Sequence, residues 1–111
     1  MGKIAIDFNG TIEDSNNVPK GKKFGPPLPG AEDTLEGLIQ EGHEVIIFTE
    51  MAKTSSGRQA VADWLEYFDI SYSEITALKP NASIFIDDKG LRFTSWASTI
   101  KELRGFGIEL D

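Results

Sequence analysis

The sequence has 111 residues, of which 40% are hydrophobic, with no cysteine, one histidine and a net charge of −7. That length suits one domain with its own core, and the missing cysteines exclude disulfides and thiolate metal sites, so any metal would be hard and oxygen-liganded. The acid excess weighs against nucleic-acid binding through phosphates, and no apolar run approaches the roughly 20 residues of a membrane span.

The chain opens on an apolar run, Ile4-Ala5-Ile6, with no signal-peptide pattern before it, so a cytoplasmic protein is expected. The run predicts a buried strand ending at Asp7, followed by a turn at Asn9-Gly10-Thr11. Residues 12–30 are polar and rich in Pro, Gly and Lys, which predicts a loop or flap, with a small hairpin as one option. Within it, Lys20, Lys22 and Lys23 beside Phe24 read either as a solvated loop or as a small electrostatic funnel for an anionic substrate.

Ala31, Leu35, Leu38 and Ile39 have helical spacing, and Gly42 is a natural stop. Val45 to Phe48 predicts a second buried strand ending at Thr49. Val61, Trp64, Leu65 and Phe68 mark a second amphipathic helix, and residues 70–75 a short third strand. Ser83 to Ile86 predicts another buried strand, ending at Asp87-Asp88. Trp96, Ile100 and Leu103 mark a third helix, with Trp64 and Trp96 both assigned to packing, and residues 105–110 could add an edge strand.

Strands alternating with helices predict an α/β domain with a central parallel sheet covered on both faces. Such sheets bind ligands beyond the carboxyl ends of their strands, near a switch in strand order. Asp7, Thr49 and Asp87-Asp88 each stand just past such an end, and Lys79 just before the last strand. A carboxylate at a strand tip can be a phosphoryl-accepting nucleophile or a metal ligand. Adjacent carboxylates are costly to crowd without a cation, and Mg²⁺ suits hard oxygens. Lys79 offers positive charge and Thr49 a hydroxyl for phosphoryl oxygens, while Gly10 lets backbone N–H groups come close.

In this order the residues resemble the haloacid dehalogenase superfamily. Its first motif stands here as Ile4-Ala5-Ile6-Asp7-Phe8-Asn9-Gly10-Thr11, its second as a strand ending at Thr49, its third as Lys79-Pro80, and its fourth as Ile84-Phe85-Ile86-Asp87-Asp88. The resemblance spans residues 3 to about 103 and implies a Rossmann-like three-layer sandwich with no cap domain. It further implies a Mg²⁺-dependent phosphatase with Asp7 as nucleophile and metal ligand. The carbonyl of Asn9 and Asp88 would be further metal ligands, with Asp87 acting through water. Thr49 and Lys79 would hold the phosphoryl group. Apart from the resemblance, Gly10 and Thr11 in the turn and Glu50, which follows Thr49, are expected toward the substrate.

One departure bears on mechanism. The family's phosphatases carry Asp at position 9 as general acid and base, and an Asn9 amide cannot exchange a proton near neutral pH. Three readings of Asn9 stay open: substrates with good leaving groups, a weak or inactive relative that binds phosphate and Mg²⁺, or a substitution introduced to trap a complex. A phosphotransferase is a further alternative. An open, capless site suits a large phosphorylated substrate, or a partner chain, as in a homo-oligomer, that completes the pocket.

Overall fold

A computed structural model describes residues 2–90 and 94–108. Strand β1 covers Lys3–Asp7, helix α1 Ala31–Gln40, β2 Glu44–Phe48, α2 Ser55–Tyr67, β3 Glu74–Thr76, β4 Ile84–Ile86 and α3 Trp96–Gly105, with a 3-10 turn at Glu50–Lys53 before α2. The strands form one parallel sheet in the order β3-β2-β1-β4. The fold is therefore α/β and Rossmann-like, as the alternation of apolar runs and helical spacing predicts.

Local signals explain most boundaries. The Thr54 hydroxyl accepts the Gly57 N–H at 3.0 Å and starts α2. Ser95 does the same for α3 through the Ser98 N–H at 3.2 Å. Glu32 and Asp33 in the first turn of α1 complement its dipole. Among the described residues no helix is long and apolar enough to cross a membrane.

In-register pairing puts Ile4 beside Val45 and Ile6 beside Ile47, on one face of the sheet. Those four residues share one buried cluster with Leu35 of α1 and with Val61, Trp64 and Leu65 of α2. Both helices therefore cover the same face, as successive right-handed crossovers in one direction require. The chain then passes to the other side of β1 to form β4, so strand order reverses between β1 and β4.

Several expectations need correction. Ile84, Phe85 and Ile86 are 54%, 44% and 41% exposed, so β4 is an open edge rather than a buried strand. It pairs with β1, and no helix lies between β3 and β4 to cover it. Trp96 is 71% exposed and α3 has no buried residue, so Trp96 is not core, whereas Trp64 is. The third strand starts later than its apolar run, because Ile70 and Ser73 bond back to Leu65 and Val45 as the chain climbs from α2. Residue 105 ends α3, and its carbonyls are capped by the N–H groups of Gly107 and Ile108 rather than continued as an edge strand. The remainder of that expected strand, 109 and 110, lies outside the described residues.

Candidate functional site

The reversal of strand order opens a crevice at the C-terminal ends of β1 and β4, where Asp7 and Asp87-Asp88 stand. The chain beyond Asp7 winds into a tight turn. The Phe8 carbonyl accepts the N–H groups of Thr11, Ile12 and Glu13, at 3.3, 3.0 and 3.0 Å. Phe8 itself is fully buried, edge-on to Phe24 of the flap and Trp64 of α2. The turn that carries the candidate nucleophile is thus anchored in the core.

Asp7 is only partly buried, and its pKa is raised above the ordinary value. Burial is the main cause, followed by the negative charge of Asp88, with Asp87 a smaller one. The Phe8 N–H and the Thr11 hydroxyl, which donates to Asp7 Oδ2 at 3.4 Å, act in the opposite direction. Asp88 lies against Gly10, whose φ of 82° is a left-handed conformation. A Cβ at position 10 would run into the Asp88 carboxylate. Asn9, Gly10, Asp14, Ser15, Leu28 and Asp88 are among the residues lining a cleft of about 280 Å³.

Gly10→Ala should therefore cost about 1–3 kcal/mol through its strained backbone and push Asp88 away from the turn. Urea unfolding checks the first effect. Loss of any Mg²⁺-induced rise in melting temperature checks the second.

The other expected residues divide. Thr49 is 3% exposed at the tip of β2. Its hydroxyl oxygen accepts the Met51 N–H at 3.2 Å, which orients the group and leaves its proton for another acceptor. The Lys79 ammonium lies 5.0 Å from the Phe85 ring centroid. Phe85 pairs with Ala5, so it shares the face from which Asp7 projects, roughly 7 Å further along the strand. Lys79 thus sits over that face, held by an aromatic ring.

Glu50 turns away: its side chain is 86% exposed and pairs with Lys53 at 3.3 Å. Gly10 does not offer its own N–H, which donates to the Glu13 carbonyl at 2.8 Å. Asp87 is partly committed to its own loop, where Oδ1 accepts the N–H groups of Lys89 and Gly90. Lys20, Lys22 and Lys23 are exposed, and Lys23 lies over the Phe24 ring.

Among the described residues, no group of three or more His, Asp or Glu side chains is gathered closely enough to hold a metal alone. Asp88 lies near enough to Asp7 for its negative charge to help raise the Asp7 pKa. Two carboxylates plus backbone and substrate oxygens is the sparse protein ligation that Mg²⁺ accepts, so this donor set fits that ion.

Glu13, beside the site, carries no motif that marks it in the sequence. Glu13 is 1% exposed, and its carboxylate accepts hydrogen bonds from Asn9 Nδ2, Ser15 Oγ and the Gly25 N–H. Its signal was a single acidic residue after Ile12, indistinguishable in sequence from the exposed polar residues that follow.

No family model and no curated protein matches the sequence. Among solved structures, a conserved protein from Bacteroides thetaiotaomicron is similar over 97% of this chain and 93% of its own, with a TM-score of 0.64 and 22% identity. At that identity the likeness speaks for the fold alone.

Proposed function

We propose that the chain is a capless, Mg²⁺-dependent phosphohydrolase of the haloacid dehalogenase type, with Asp7 as the group that accepts the phosphoryl. The observation that carries this reading is the setting of Asp7. It stands at the reversal of strand order, partly buried, with Asp88 and Asp87 adding negative charge to its surroundings. Like charges gathered at a ligand-binding crevice call for a cation.

Asp7, Asp88 and the Asn9 carbonyl would hold Mg²⁺, with Asp87 behind them. When bound, the ion supplies positive charge to the phosphoryl oxygens. An Asp7 oxygen attacks phosphorus, the bond to the leaving oxygen breaks, and the leaving group departs with the electron pair. The Thr49 hydroxyl donates to a phosphoryl oxygen, and Lys79 balances its charge. Water then attacks the aspartyl-phosphate at phosphorus. Inorganic phosphate leaves with the water's oxygen and one of its protons, the other proton passes to bulk solvent through the open site, and the Asp7 carboxylate is restored.

Asn9 supplies no proton to the leaving group, which favours substrates such as acyl phosphates whose leaving group is already a stable anion. The same amide, held by Glu13, favours a second reading: a phosphate- and Mg²⁺-binding module without turnover.

Phosphate release from acetyl phosphate, p-nitrophenyl phosphate and glycerol phosphate, with and without Mg²⁺, separates the two. The enzyme reading expects Mg²⁺-dependent release from acetyl phosphate. It expects rates on glycerol phosphate to lie about 10²–10⁴ below those of an enzyme with a working acid. Silence on every substrate, with phosphate still binding, would establish the module instead.

A further inference from the structure

We infer that Glu13 sets the orientation of Asn9, and that an amide stands at position 9 because Glu13 is buried beside it. This inference rests on the reading of Asp7 as the phosphoryl acceptor for its catalytic consequence, but not for its geometry.

Glu13 is 1% exposed. Among the described residues the ion pair present is Lys53–Glu50, so Glu13 has no basic partner there. Neutral donors satisfy it instead. Oε1 accepts from Asn9 Nδ2 at 3.1 Å and from the Ser15 hydroxyl, and Oε2 accepts the Gly25 N–H at 2.7 Å. A buried carboxylate is tolerable only when hydrogen-bonded in this way. Asn9 is one of those donors. Aspartate in its place would bring no N–H and would set a second carboxylate against the first.

The same contact decides which edge of the amide is turned away from Glu13. A carboxylate accepts, so the NH₂ group must face Glu13, and the planar amide turns Oδ1 to the opposite side. Asn9 lines the cleft beside Gly10 and Asp88. On the side away from Glu13 it therefore presents an acceptor oxygen, able to align a water or hydroxyl by its proton but unable to remove or supply one. Glu13 is thus a positioning residue, and the pairing confines turnover to leaving groups that need no proton.

Glu13 also ties this amide to the flap. The Gly25 N–H is held by Oε2, and the Gly25 carbonyl accepts Trp64 Nε1–H at 2.9 Å. Orientation at position 9 and closure of residues 13–25 onto α2 are one hydrogen-bonded unit.

A mutant cycle tests this on the whole chain. Urea unfolding without Mg²⁺ is measured for the parent, Asn9→Asp, Glu13→Gln and the double variant. Asn9→Asp should lower the folding constant roughly ten-fold more with Glu13 present than with Gln at 13. The Asn9 side-chain ¹⁵N–¹H₂ resonances should be slow to exchange in the parent and lose that protection in Glu13→Gln. Rates complete the test: the double variant should gain about 10²-fold or more in kcat on glycerol phosphate, and Asn9→Asp alone far less.

Additivity of the cycle, an unprotected Asn9 amide in the parent, or full gain by Asn9→Asp alone each overturns the proposal. If Glu13→Gln does not fold, Asn9→Ala replaces it. Asn9→Asp must then destabilise more than Asn9→Ala, and the reverse order overturns the proposal. If no variant releases phosphate yet the cycle and resonances couple, Glu13 still orients Asn9, and it is the phosphoryl reading that fails.

Discussion

Asp7→Asn is expected to reduce Mg²⁺-dependent phosphate release to background while raising the melting temperature of the metal-free protein at neutral pH. The first effect follows from removing the attacking oxygen. The second follows from charge. Burial, with Asp88 and then Asp87, raises the Asp7 pKa in the folded state. A carboxyl whose folded pKa exceeds its unfolded value contributes stability that is fully present below the unfolded pKa and lost as pH rises through the folded one. The uncharged amide suffers no such loss. The variant should therefore melt above the parent at pH 7, and the gap should close as pH falls below the ordinary value of 3.8. Added Mg²⁺ should stabilise the parent more than the variant. Scanning calorimetry across pH, with and without Mg²⁺, reads all three effects. Undiminished phosphate release by the variant would remove Asp7 as nucleophile, and a lower melting temperature at neutral pH would contradict the charge crowding.

Phe8→Ala should be among the most destabilising single changes in the chain, at about 3–5 kcal/mol. The ring has no exposed surface and packs edge-on to Phe24 and Trp64, with centroids 5.2 and 5.0 Å away. It joins the flap to α2 at the point where the chain turns from Asp7 to Asn9. Truncation leaves a cavity beneath the site, so the flap should loosen together with the core. Urea unfolding gives the magnitude, and limited proteolysis between residues 14 and 28 reports the flap. Such a loss is large against the roughly 5–15 kcal/mol that holds a domain folded. A cost under about 1 kcal/mol, against the usual range for deleting a buried aromatic, would mean that Phe24 and Trp64 close over the gap.

Phe8 also marks where local pattern ceases to be informative. Periodicity placed the residues of α1 and α2 on their buried stripes, because an amphipathic helix needs only one apolar neighbour to settle its orientation. The same rule assigned Trp96 to the core and failed. An apolar stripe states what a helix could bury, not what is there to bury it, and α3 has no buried residue. The run Ile84-Phe85-Ile86 reads as a buried strand for the same reason, yet it is the edge of the sheet. Adjacency to Thr49 predicts Glu50 at the site. The 3-10 turn that begins there carries it outward to Lys53 instead.

What the sequence determined by itself is the alternation of strands and helices and the carboxylates beyond the tips of β1 and β4. Both are local, since an apolar run followed by a polar turn specifies a strand and its end wherever the chain goes next. The tertiary structure alone decided the order β3-β2-β1-β4 that brings Asp7 and Asp88 together. It also decided the exposure of β4 and the burial of Glu13 against Asn9 and Gly25. These depend on contacts between segments distant in the chain. Gly25 is twelve residues from Glu13 and thirty-nine from Trp64, and no propensity or spacing records which backbone N–H a buried carboxylate will find.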